Sequence, residues 1–187
     1  MSFLKSKAIV LKKKRMSDKE FIYTVFSYEF GKIDCKKKVS SKEKPLDIGY
    51  DINFEIFWKN AQSLATIRNI NILHELKSQD QNYETIFSFM QLMHEIDKNT
   101  EKWIPVYAIY ELMHELHQKK ITLDHVILAW LKLKHILWIL PGEHENQTVQ
   151  RILNFIYKNP IQRVLLLVGI EPDIQKMLKE LTTSHAF

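Results

Sequence analysis

Apolar and polar positions alternate with a period of two in short runs before residue 75, and follow a 3.6-residue spacing after it. Lys7–Leu11 is a short β-branched run, and Lys19–Tyr28 is rich in Phe, Ile, Tyr, Thr and Val. Glu29-Phe30-Gly31-Lys32 offers a turn between extended segments. From Lys32 to Val39 the alternation is clear, with Ile33, Cys35 and Val39 on one side and Lys32, Asp34, Lys36 and Lys38 on the other. Pro45 and Gly49 bracket a polar loop. Ile52, Phe54, Ile56 and Trp58 then alternate with Asn53, Glu55 and Phe57, Asn60–Ser63 supplies a turn, and Leu64–Leu73 is a last strand. Five short strands without an intervening helix predict a small antiparallel barrel or sandwich.

Beyond a polar linker, Lys77–Gln81, the spacing becomes helical. Ile86, Met90 and Met93 form one stripe with Phe87 beside them. Trp103, Val106, Tyr107, Tyr110 and Met113 form another, and Val126, Ile127, Trp130, Leu131, Leu137 and Trp138 a third. Thr122 stands at an N-cap position, and Asn159-Pro160 pairs a capping residue with a proline at the first helical position. Pro141-Gly142 and Gly169 are stop signals. The expected fold is α+β: a five-stranded OB-fold barrel over residues 1–75, followed by an all-α domain of six helices over residues 82–187.

Charge changes this picture. The net charge is +5, yet residues 1–74 hold 15 Lys/Arg against 8 Asp/Glu and the remainder 12 against 14, so +7 stands beside −2. A basic barrel next to a near-neutral bundle suits a polyanion on one half and protein contacts on the other. The longest apolar run, Val164–Ile170, is far below the roughly 18 residues of a membrane span. No secretory h-region follows the N-terminus, so a cytoplasmic protein is expected. One cysteine, Cys35, excludes an intrachain disulfide framework and a multi-cysteine zinc site, and four glycines argue against glycine-rich nucleotide folds.

Binding a nucleic-acid backbone needs cations along a track, because each neutralised phosphate releases counterions. Lys12, Lys13, Lys14 and Arg15 are the densest cluster, placed at the end of the first strand and its turn. Lys32, Lys36 and Lys38 share one face of the third strand, and Lys42 and Lys44 continue into the loop. Taken singly, each is a solvated lysine; two clusters on one barrel point to a footprint. Phe57, set among polar positions, is the candidate for an exposed stacking ring, whereas Trp58 shares the core face. Arg68 serves a phosphate or a neighbouring carboxylate equally well. In the helical half, Trp130, Lys132, Lys134 and Arg151 are the set suited to an acidic peptide.

Catalytic patterns fail on spacing. Glu111 and His114 lie three apart, as in di-iron bundles, but no second Glu-x-x-His accompanies them. His114-Glu115-Leu116-His117 is one residue short of His-Glu-x-x-His. Ser40-Ser41-Lys42 carries no weight as a nucleophile with its base, and phosphate-cradling glycine loops are missing from the sequence. A non-enzymatic protein without metal or cofactor is expected.

The run Lys7-Ala-Ile-Val-Leu, then Ser17-Asp18-Lys19, then Phe26-Ser-Tyr-Glu-Phe-Gly-Lys32 resembles the opening of the RecO recombination-mediator family, and Ile127–Leu140 resembles the long helix of that family's helical domain. Two departures stand out. Lys38-Val39-Ser40-Ser41 replaces the usual Lys-Gly and basic residue, and the four-cysteine zinc module of many members is missing from this short chain. The resemblance implies binding of single- and double-stranded DNA, strand annealing, and action with a RecR partner to place RecA on DNA coated by single-strand-binding protein. It also implies docking of that coating protein's acidic C-terminal tail. The alternatives are an interaction adaptor with solubilising lysines and an RNA-binding OB protein.

Overall fold

The computed structural model describes residues 3–40, 43–59, 63–76, 81–139 and 142–183. Five strands open the chain: β1 (Leu4–Arg15), β2 (Glu20–Ser27), β3 (Gly31–Lys38), β4 (Asp51–Phe57) and β5 (Ala65–His74). They close into a barrel in the order β1-β2-β3-β5-β4, with β4 returning to β1. Every pairing is antiparallel except the short parallel one between β3 and β5. This is the OB-type barrel that the alternation predicts. Ala8, Val10, Tyr23, Val25, Ile33, Cys35, Ile52, Phe54, Ile56 and Ile67 fill its interior, nearly all wholly buried. The Cys35 thiol lies within this core, where burial pushes its pKa up and keeps it inert.

The first strand is longer than its apolar run. Lys12–Arg15 continue the ladder, paired with Phe21–Thr24, so these four cations are strand residues and not a turn. A bulge between Val10 and Lys12 resets the register midway. Lys37 occupies an inward position of β3, buried to 7% exposure, where its ammonium meets the Glu43 carboxylate from the following loop. That ion pair holds the Glu43 carboxyl below its usual range.

The helices are α1 (Tyr83–Asn99), α2 (Tyr107–His117), α3 (Leu123–Ile136), α4 (Gln147–Lys158), α5 (Ile161–Val164) and α6 (Pro172–Thr183). The compact units do not follow chain order. One comprises residues 1–77 and 93–110; the other comprises residues 78–92 and 111–187. The end of α1 and the segment up to Tyr110, assigned by periodicity to the helical domain, therefore group with the barrel. The reason is local backbone pairing: Trp103 N–H donates to the Lys32 carbonyl (3.1 Å), and Lys32 and Lys102 form a parallel bridge. Trp103 adopts a left-handed φ of 66° ahead of α2, so it is not part of that helix's stripe. Inside the same unit, Tyr110 donates from its hydroxyl to Oδ1 of the buried Asp51 (3.1 Å), and the His74 ring lies 3.2 Å from Oδ2.

In the second unit α3 is central, packed against α4, α5 and α6, and apolar around most of its girth. Thr122 caps it as expected: its side chain accepts from His125 N–H, and the His125 ring accepts from the Thr122 backbone in return. Asp124 is buried and gathers the Gly169 N–H (3.0 Å) and the Gln175 amide, fastening the α5–α6 loop to the start of α3. The helix stops at Leu137, with Trp138 left-handed behind it; of the expected stop signal, Pro141 lies outside the described residues.

Gly31 is a point of close backbone approach within the barrel unit. Its φ is +65°, and a Cβ there would press into the carbonyl of Ile104 and lie 2.8 Å from Pro105 N. Gly31→Ala is expected to lower stability by about 2–4 kcal/mol, read from denaturant or thermal unfolding. A variant as stable as the parent would contradict this packing.

Candidate nucleic-acid interface

Strand register sorts the predicted cations into outward rows that run across the barrel. Lys12 pairs with Thr24 and Thr24 with Asp34, making one row. Two residues along, Lys14 pairs with Ile22 and Ile22 with Lys36. Glu20 and Lys38 lie across from each other in the next row. With strands about 4.8 Å apart, cations on alternate strands of a row are separated by about 10 Å. The second row does not end at β3: Lys36 pairs with Thr66 on β5, and Thr66 with Phe57 on β4.

The rows differ in what neutralises them. In the first, Asp34 accepts from Lys102 and from the Thr24 hydroxyl (2.7 Å), while Lys12 and Lys32 share Asp97. Burial alone would raise the Asp34 pKa, but its two hydrogen bonds and the neighbouring ammonium groups outweigh burial and hold the carboxyl below its ordinary range. Lys13 points inward along the strand, 5.7 Å from the Phe21 ring and 3.8 Å from Asp47. Arg15 turns back onto Asp18 in the β1–β2 hairpin. Among the described residues of the predicted footprint, Lys14, Lys36, Lys38 and Lys44 make no ion pair. Lys42 lies outside the described residues. The eight described cations of the predicted nine thus divide into a neutralised set and a set without ion pairs among the described residues, centred on the Lys14–Ile22–Lys36 row.

On the β4–β5 side the structure adds a residue that periodicity passed over. Phe3, just before β1, meets Phe57 edge to face with centroids 5.2 Å apart, and the Arg68 guanidinium lies 3.3 Å above the Phe3 ring. Arg68 also donates from Nε to Glu55 (3.3 Å), so the carboxylate pair that the sequence allowed is formed, alongside a ring stack. Phe57 faces outward and is half-buried by these neighbours, as its place among Asn53 and Glu55 predicts. Trp58 packs edge-on against Phe30 at the rim of the core.

The acidic-peptide set in the helical unit is corrected by burial. Trp130 is 4% exposed and Lys134 8%, both turned into the bundle. The Lys132 ammonium donates to the carbonyls of Ile156 (2.9 Å) and Asn159 (2.8 Å), satisfying the C-terminal end of α4, and Lys134 donates to Leu181 (2.8 Å). Burial lowers the Lys132 pKa. Of the four, Arg151 alone is exposed. Periodicity could not see this, because α3 is buried on nearly every side and its lysines reach out of the core to cap neighbouring helices.

A closed five-stranded barrel of this strand order, followed by helices, defines an OB-fold protein with a helical extension. Residues 1–76 match the family model described as recombination protein O N terminal. Over those residues the chain carries a RecO-type N-terminal domain, which implies a general role in DNA recombination and repair. No curated protein matches the chain. Among the described residues no helix is long and apolar enough to cross a membrane.

The Asp34 network makes a pH prediction. A carboxyl that is more acidic when folded stabilises the fold above the ordinary aspartate pKa of about 4, and that contribution is lost as pH falls through the folded value. Asp34→Asn is therefore expected to cost up to about 1 kcal/mol near pH 7 and progressively less as pH falls below about 4, the size limited because Lys102 is half exposed and solvent screens the pair. Urea unfolding of both proteins across that range checks it; a difference that does not vary with pH would contradict it.

Proposed function

We propose that the protein is a non-enzymatic DNA-binding recombination mediator. In this reading it holds single- and double-stranded DNA on the outer face of β1–β3 and brings complementary strands together. It acts with a RecR-type partner to place recombinase on DNA coated by single-strand-binding protein, in the bacterial cytoplasm at the nucleoid. The observation that carries the reading is the row Lys14–Ile22–Lys36, with Lys38 alongside: cations without ion pairs among the described residues, on the outer face of a RecO-type N-terminal domain.

The mechanism follows from the difference between the rows. A phosphate that approaches Lys12 or Lys32 must displace the Asp97 carboxylate, so one anion replaces another and little is gained. A phosphate at Lys14 or Lys36 meets an ammonium that makes no ion pair among the described residues and releases condensed counterions from the nucleic acid. The barrel then supplies charge neutralisation, which lowers the repulsion between two strands brought together, and no bond is made or broken. Residues 75–187, with 12 cations against 14 anions, carry no comparable attraction for DNA and are assigned to protein contacts, including the tail of single-strand-binding protein.

Fluorescence anisotropy with labelled single-stranded DNA, at two salt concentrations, tests this. The charge reversals Lys14→Glu and Lys36→Glu together are expected to weaken binding at least tenfold at low salt. They should also flatten the log–log salt slope by about 1.4, at roughly 0.7 per lost phosphate contact on a single strand. Lys12→Ala is expected to change the slope by less than half that. Binding by the double variant equal to the parent, or a preference of the parent for RNA over DNA, would overturn the reading.

A further inference from the structure

The outward row that begins at Lys14 ends, across the β3–β5 seam, on three planar groups. Phe3 is 37% exposed, Phe57 stands edge-on to it with ring planes 69° apart, and the Arg68 guanidinium covers the Phe3 ring and lies 6.0 Å from the Phe57 centroid. Single exposed apolar side chains are ordinary on any surface. Two phenyl rings and a guanidinium stacked outside a barrel whose core is already filled are not required by folding. We propose that Phe57, supported by Phe3 and Arg68, is a stacking shelf for one unpaired base of a DNA strand whose backbone lies on Lys14 and Lys36, so that the barrel prefers single strands to duplex.

The geometry of β5 supports the shelf. Between Asn53 and Glu55 of β4 the partner positions run from Asn71 to Arg68, so β5 carries one extra residue at this point. Asn69 takes up the irregularity with a left-handed φ of 50°, a conformation asparagine tolerates. The bulge aims Arg68 outward across Phe3, and its direction is fixed by Glu55, which also accepts from the Asn69 amide (2.8 Å). Only Nε of Arg68 is used in that bond; among the described residues its terminal nitrogens bond nothing, leaving them for a base edge or a phosphate. Phe57 lies two strands from Lys36 in the same row, about 10 Å away. That is a short reach for a base splayed from a backbone held at Lys36. In a duplex the base faces are stacked inside and cannot present themselves to a ring.

The inference rests on the DNA-binding reading above, and the test separates the two. Binding of the full chain is measured to a single-stranded oligonucleotide, to its duplex, and to an abasic oligonucleotide of the same length. Phe57→Ala and Phe57→Leu, the latter keeping the apolar contact with Phe3, are each expected to weaken single-strand binding about tenfold, the worth of one stacked base. Duplex and abasic binding and the salt slope should be unchanged, and Phe57→Trp should restore affinity. Equal losses on all three ligands, or no loss on the single strand, would overturn the shelf while leaving the cationic row intact. A parent protein that binds none of the three would overturn both.

Discussion

Two residue pairs close the barrel: Cys35 with Ala65, and Lys36 with Thr66, where β3 and β5 run parallel. The inward members, Cys35 and Ala65, are small and essentially fully buried, so neither side chain holds the two strands apart. The outward members join a lysine of one β layer to a threonine of the next. Without this seam β3 and β5 would each present an open edge, with unpaired backbone groups inviting other chains. The outer row would also break between Lys36 and Thr66. Closure therefore does two things at once: it removes the edges, and it makes Lys14, Ile22, Lys36, Thr66 and Phe57 neighbours around a continuous surface although they are distant in sequence.

Carboxylates decide which cations remain available. Asp97 at the end of α1 takes Lys12 and Lys32, Lys102 takes Asp34, and Glu43 takes the inward Lys37. The segment from residue 93 to 110 thus acts as part of the barrel unit, held by backbone pairing to Lys32 and by close approach at Gly31. Its charges narrow a broad basic surface to a smaller set without ion pairs among the described residues. A net charge of +7 over the first 74 residues overstates what is open to a polyanion, because several of those charges are spent within the fold.

Much of the barrel can be read from sequence, because alternation is strong wherever one face is buried. Ile33 and Cys35 against Lys32, Asp34 and Lys36 fix both the strand and its faces, and the same holds from Ile52 to Phe57. The readings that fail do so for identifiable reasons. Lys12–Arg15 show no alternation of polarity, so only the ladder to β2 reveals them as strand. Lys37 looks solvent-bound until Glu43 supplies an inward partner. In α3, Trp130, Lys132 and Lys134 suggest an exposed basic and aromatic face, but the helix is enclosed and its ammonium groups satisfy the carbonyl ends of its neighbours. Phe3 carried no periodic signal, preceding the first apolar run, and it acquires meaning only from Arg68 and Phe57.

The central claim is that one outward row, made continuous by barrel closure, is where DNA meets this protein. Titrating the isotope-labelled chain with a short single-stranded oligonucleotide and following backbone amide resonances tests it most directly. The account predicts that Lys14, Ile22, Lys36, Thr66 and Phe57 shift together and saturate at one ligand concentration, with little change at Lys12 and Lys32. Shifts confined to α3–α6, or led by the Asp97-paired lysines, would contradict it.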